Sequence, residues 1–150
     1  DRNGARVLPT LLASHTPLDL VIIMLGTNDL KPWTGGGALA ARNGMKRLIE
    51  IVRAHPYPFD HAAPDILLVA PPHAVPTAND TGMGFLKGVV EQSQMLSTFY
   101  SELADELGCG FYDAASVSRA SPVDGVHLDA ENTRAIGRGL EPIVRMMLGL

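Results

Sequence analysis

The run Asp19-Leu-Val-Ile-Ile-Met-Leu25 is apolar on both faces of an extended chain and stops at Gly26. Its length and β-branched content favour a strand over a helix. A strand with no polar face must be covered above and below, as in a parallel sheet between helical layers. Asp65-Ile-Leu-Leu-Val-Ala70, ended by Pro71-Pro72, is a second such run, and Gly110-Phe-Tyr-Asp113 is a weaker third. Leu20–Leu25 reads as a central strand, which needs a hydrogen-bonding neighbour on each side. Two partners are too few to complete such a sheet, and the chain opens on Asp1 rather than Met. The expectation is that residues 1–150 form the C-terminal part of a single domain.

Helical spacing fills the intervals. Ala41, Met45, Leu48, Ile49 and Val52 share one face, before His55-Pro56. Phe85, Val89, Leu96, Phe99, Leu103 and Leu107 form a longer stripe that Gly108 closes as a left-handed cap. A last helix starts after Asp129 as N-cap and turns Thr133, Ile136, Leu140, Ile143 and Met147 inward. Pro142 should bend or split it. A short helix is expected over Val7 to Ser14. Alternating strands and helices make the class α/β.

Composition narrows the function. Apolar residues make up 46% of the chain and charged residues 19%, which is globular. A net charge of −4, without a basic run, argues against nucleic acid as a partner. No apolar run approaches the roughly 20 residues of a membrane span, and no membrane partner is expected. With one cysteine, Cys109, no internal disulfide can form, and nothing requires an oxidising compartment. A cytoplasmic location is the expectation. Cys109 reads as a small packed residue rather than a thiolate.

Two short motifs carry chemistry. Gly26-Thr27-Asn28-Asp29 directly follows the first strand, where open α/β sheets collect their binding groups. The Asn28 amide there suits a developing oxyanion. A turn merely capped by Asn28 and Asp29 would read the same. Asp124-Gly125-Val126-His127 precedes the last helix. Its spacing lets a carboxylate reach the Nδ1–H of the imidazole, leaving Nε2 free as a base. A surface His beside a loop Asp is the plainer alternative. A metal site built on Asp124, His127 and Asp129 lacks a second His or Cys at ligand spacing.

Taken together, order and spacing resemble the SGNH, or GDSL-type, hydrolases. Gly26–Asp29 looks like that family's third block and Asp124–His127 like its fifth. The stretch Leu18–Asp29, the lead-in Asn3-Gly4-Ala5 and the pair Asp113-Ala114 resemble the aryl esterase/acyltransferase branch known from mycobacteria and rhizobia. The resemblance implies a flavodoxin-like three-layer α/β/α sandwich with a parallel sheet, incomplete in this chain because the first strand and nucleophile block are missing. It implies His127 as general base, Asp124 as its orienting partner, Asn28 as an oxyanion donor and Val126 beside the substrate pocket. It implies a bacterial serine esterase acting on short-chain acetyl or aryl esters, with acyl transfer when an alcohol replaces water, no metal and no cofactor. It also implies a homo-oligomer.

The Gly-Asp-Ser block of the family is absent, as is the block with its oxyanion glycine. Both are expected on roughly 60 further residues upstream, about one βαβ unit, in the same precursor or a separate chain. No substitute is convincing: Gly-x-Ser-x-Gly and Ser-x-x-Lys do not occur, and Ser116, Ser118 and Ser121 read as loop hydroxyls satisfying local backbone. Two alternatives stay open, a catalytically inactive interaction or carbohydrate-binding module and a metal-dependent hydrolase. Trp33, after Pro32, lines the pocket, forms an oligomer contact or simply packs in its loop. Gly35-Gly-Gly37 with Ala40 matches the form of a dinucleotide fingerprint far from its strand, and reads as a flexible hinge. The polar segment Pro71 to Met83 is long enough to overhang the site.

Overall fold

The computed structural model describes residues 3–34, 36–77, 79 and 88–150. Phe85, Gly35 and most of the second half of the Pro71–Met83 segment lie outside them. In chain order the main elements are α1 (Gly4–His15), β1 (Leu20–Ile23), α2 (Ala38–Ala54), β2 (Asp65–Ala70), α3 (Val89–Leu107), β3 (Gly110–Asp113) and α4 (Ala130–Leu148).

Among the described residues the sheet has three parallel strands in the order β1-β2-β3. Leu20 lies opposite Asp65 and Ile23 opposite Leu68; Leu67 lies opposite Gly110 and Ala70 opposite Asp113. Side chains alternate across a strand, so β2 feeds two cores. Ile66, Leu68 and Ala70 pack with Leu12 of α1, Met45 and Ile49 of α2, and Leu96 and Leu103 of α3. Leu67 and Val69 pack the other way, against Ile136 and the half-buried Leu140, Ile143 and Met147 of α4. The result is the expected α/β/α sandwich with a parallel sheet.

Among the described residues β2 is the middle strand and is fully buried beyond Asp65, while β1 has a neighbour on one edge alone and Ile22 is 43% exposed. Three expectations need correction. On α3 the buried position is Tyr100, and Phe99 is only half-buried. Thr133 points to solvent and donates its hydroxyl to the Asp129 carbonyl at 2.8 Å. Pro142 does not split α4, which is one continuous helix. Pro142 and Arg138, whose carbonyl it leaves without a donor, both lie on the exposed side, where water can replace the lost bond.

Helix ends follow the sequence more closely. Asn3 caps α1 through Ala5 N–H at 2.9 Å, so that helix starts earlier than Val7. Asp129 caps α4 through Asn132 N–H at 2.8 Å. The start of α2 has no side-chain cap of its own; Ala38 N–H donates instead to Gln92 Oε1 of α3 at 2.8 Å. Because Leu68 is wholly buried between β2 and three helices, Leu68→Ala should cost about 2–5 kcal/mol. Urea denaturation checks this: the midpoint should fall well below that of Val117→Ala, a change at an exposed position.

Candidate active site

Parallel strands end at the same edge of a sheet, so the segments leaving β1 and β2 emerge side by side. Gly26–Asp29 leaves β1. The segment leaving β2 is hydrogen-bonded to the loop of Asp124 and His127, Val75 N–H donating to Gly125 O at 2.9 Å. Both motifs therefore stand on the carboxyl edge.

The turn at Gly26 is fixed from below. Its φ of 124° is one that side chains rarely adopt, and a Cβ there would lie 2.1 Å from the Tyr100 hydroxyl. That hydroxyl donates to Leu25 O at 2.9 Å. Burial raises the Tyr100 phenol well above its ordinary pKa, and the nearby Asp29 carboxylate adds to the effect. Desolvation likewise raises the Asp29 carboxyl. Thr27–Leu30 then forms a short 3₁₀ turn. It leaves the Asn28 side chain exposed, with no hydrogen bond to the described residues. Asn28 lines a cavity of about 760 Å³ between the start of α1, the exit of β1 and one face of α2, with Tyr100 among its walls.

The second motif is a compact turn around one carboxylate. Asp124 Oδ1 accepts from Val126 N–H and His127 N–H, each at 2.9 Å. Asp124 Oδ2 lies 2.7 Å from His127 Nδ1. Gly125, at φ 79°, takes the left-handed conformation that closes the turn. Those two N–H donors, and then the imidazole, hold the Asp124 carboxyl at about 2, against an ordinary 3.8. An ionised Asp124 accepts from Nδ1–H and leaves Nε2 as the basic nitrogen.

Asp124 and His127 are not among the residues that line the cavity beside Asn28. Trp33 is 59% exposed, with Lys31 Nζ 5.8 Å from its ring centre, and neither it nor Val126 lines the cavity. Asp129 turns its carboxylate onto Asn132, away from His127. Among the described residues no three His, Cys, Asp or Glu side chains are grouped to hold a metal. Ser116 and Ser121 satisfy local backbone, as expected. Ser118 is buried and its hydroxyl has no partner among the described residues. Cys109 is half-buried, and burial raises its thiol pKa against the opposing pull of Arg53. Gly36 is no simple hinge: a Cβ there would lie 1.9 Å from Asp29 O, so close approach requires glycine. The described part of the Pro71–Met83 segment bonds to the Asp124 loop.

Sequence reasoning missed Tyr100 and Gln92. Tyr100 was within reach, because Val89, Ser93, Leu96, Tyr100 and Leu103 continue one helical face. Gln92 carried no local signal.

Residues 1–135 match the model of the GDSL-like lipase/acylhydrolase family. The chain belongs to that family. This GDSL hydrolase is also similar to solved structures. A carbohydrate acetylesterase family member from Sinorhizobium meliloti is 58% identical at a TM-score of 0.96, covering 100% of this chain and 71% of that one. The native Mycobacterium smegmatis aryl esterase is 37% identical at 0.89, over 96% of this chain and 68% of that one. Est24, a carbohydrate acetylesterase from Sinorhizobium meliloti, is 37% identical at 0.88, over 98% and 72%. No curated protein sequence matches. Among the described residues of this GDSL hydrolase, no helix is long and apolar enough to cross a membrane.

Two measurements probe the geometry. Gly26→Ala should cost about 1–3 kcal/mol and Tyr100→Phe about 1 kcal/mol, with the double variant losing less than their sum because the clash goes with the hydroxyl. Thermal denaturation of the three variants reads this. For Asp124 the folded pKa is depressed, so its stabilising contribution is present above 3.8 and is lost as pH falls toward about 2. A carboxyl ¹³C titration should place its midpoint near about 2. The contribution is small, because the pair is exposed.

Proposed function

We propose that this GDSL hydrolase is a serine esterase cleaving short-chain acetyl and aryl esters through an acyl-serine intermediate. The observation that carries the reading is the 2.7 Å contact from His127 Nδ1 to Asp124 Oδ2, with the opposite ring nitrogen open to solvent. The serine hydroxyl gives its proton to His127 Nε2 as its oxygen attacks the ester carbonyl. Asn28 donates its side-chain N–H to the oxyanion. The imidazolium returns the proton to the departing alcohol, and water then releases the acid by the same route. An alcohol in place of water gives acyl transfer. No step calls for a metal or cofactor.

The serine comes from a segment preceding Asp1, or from a separate chain, bearing a Gly-Asp-Ser block. Support comes from where the hydroxyls of this chain point: Ser93 donates to Val90 O, Ser97 to Asp113 Oδ2 and Ser116 to Asp113 O. Further support is the outer edge of β1, which has no neighbouring strand among the described residues and exposes Ile22 and Met24. A homo-oligomer belongs to the same reading, and exposed Trp33 and Met146 offer apolar surface for it.

The test is p-nitrophenyl acetate hydrolysis by the protein together with its serine-bearing segment, before and after a serine-directed phosphonate. Hydrolysis is expected and should stop on treatment, and His127→Ala should lower kcat by about 10³-fold or more. Hydrolysis indifferent to the phosphonate rules out the serine mechanism. Complete inactivity of the assembled protein supports the inactive-module alternative.

A further inference from the structure

We infer that Thr77 and Asn79 are positioning residues of the esterase site, strapping the loop that bears Asp124 and His127 to the exit of β2. The inference rests on the proposed esterase function and assigns it two residues outside both motifs.

The loop needs such support. Residues 117–129 contain no helix or strand. The side chains of His127 and Asp124 are 85% and 47% exposed, so packing does not fix them. Val123 beside them is also exposed. Within the loop, Ser121 N–H donates to His127 O at 2.7 Å and Gly125 N–H to Ser121 O at 2.8 Å. These bonds shape the turn but do not anchor it to the sheet. A catalytic pair must be held to within a fraction of an ångström, so an external anchor matters.

The segment after β2 supplies it. Pro71, Pro72 and Ala74 are buried, and Ala74 N–H donates to Ser93 Oγ of α3 at 3.0 Å, so the base of the strap is rigid. From there three groups reach the loop on both sides of Asp124. Val75 N–H bonds Gly125 O, just after it. Thr77 Oγ1 lies 2.7 Å from Pro122 O and 3.1 Å from Val123 O, just before it. Asn79 Nδ2 donates to Val123 O at 2.8 Å. Asn79 N–H also donates to Thr77 Oγ1 at 3.1 Å. That bond occupies a lone pair of the hydroxyl and directs its single proton toward the two loop carbonyls. Thr77→Val would keep the shape and lose the three contacts of the hydroxyl, to Pro122 O, Val123 O and Asn79 N–H.

The readout is the tautomer of His127, which depends on the bond its other nitrogen makes. Imidazole ¹⁵N shifts, recorded in mildly alkaline solution, report it on folded protein. Wild type should be dominated by the Nδ1–H form. Thr77→Val and Asn79→Asp, the latter setting an acceptor against Val123 O, should shift it toward the Nε2–H form favoured by a free imidazole. In the assembled esterase the same variants should lower kcat about tenfold with KM within about twofold, as expected of a misplaced base. Thr77→Ser should restore both readouts. Loss of stability alone would lower the amount of folded protein without moving the tautomer. Wild-type tautomer and kcat in both variants, with His127→Ala still inactive, overturns the strap and leaves the esterase reading intact. Full activity in His127→Ala overturns both.

Discussion

β2 has both faces buried and both edges paired among the described residues, and this double coverage dictates where functional groups can stand. Parallel neighbours cannot be joined by tight turns, so the chain crosses over through helices that become the two outer layers. Every strand then ends at the same edge. The Gly26–Asp29 turn and the strap segment leave adjacent strands at that edge, and the strap carries the Asp124 loop with it. The site is thus assembled by topology before any individual side chain contributes.

What the edge then holds is of two kinds. The Gly26 turn is fixed from the core, by a fully buried tyrosine whose hydroxyl grips Leu25 O and leaves no room for a Cβ. The Asp124–His127 turn presents both of those side chains to solvent. Its order comes from hydrogen bonds in water: two backbone donors on one carboxylate oxygen, the imidazole on the other, and the strap outside. Each bond contributes only about 1 kcal/mol net, and their arrangement matters more than their sum. The His127 side chain, 85% exposed, stays open to solvent.

Much of this was legible because it is local. The strands announced themselves by apolar runs between Gly and Pro, and α2 by a face that the structure buries residue for residue. The aspartate and histidine meet because they stand at i and i+3 in a turn, which sequence shows directly. Asn28 was placed by its position after a strand. The unread parts are non-local. Tyr100 lies 75 residues from the carbonyl it holds, Gln92 lies 54 from the helix start it caps, and Thr77 lies 45 from Pro122. No spacing rule connects such pairs.

The central claim is that the Asn28 carboxamide and the His127 imidazole serve one reacting centre on this edge. The most direct measurement is a crystal structure of the phosphonylated enzyme, whose tetrahedral phosphorus imitates the acyl-transfer intermediate. The account predicts Asn28 Nδ2 about 3 Å from the phosphonyl oxygen and His127 Nε2 within hydrogen-bond reach of the serine oxygen or the leaving-group position. A phosphonate whose oxygen bonds neither side chain, with the two on separate surfaces, would contradict it.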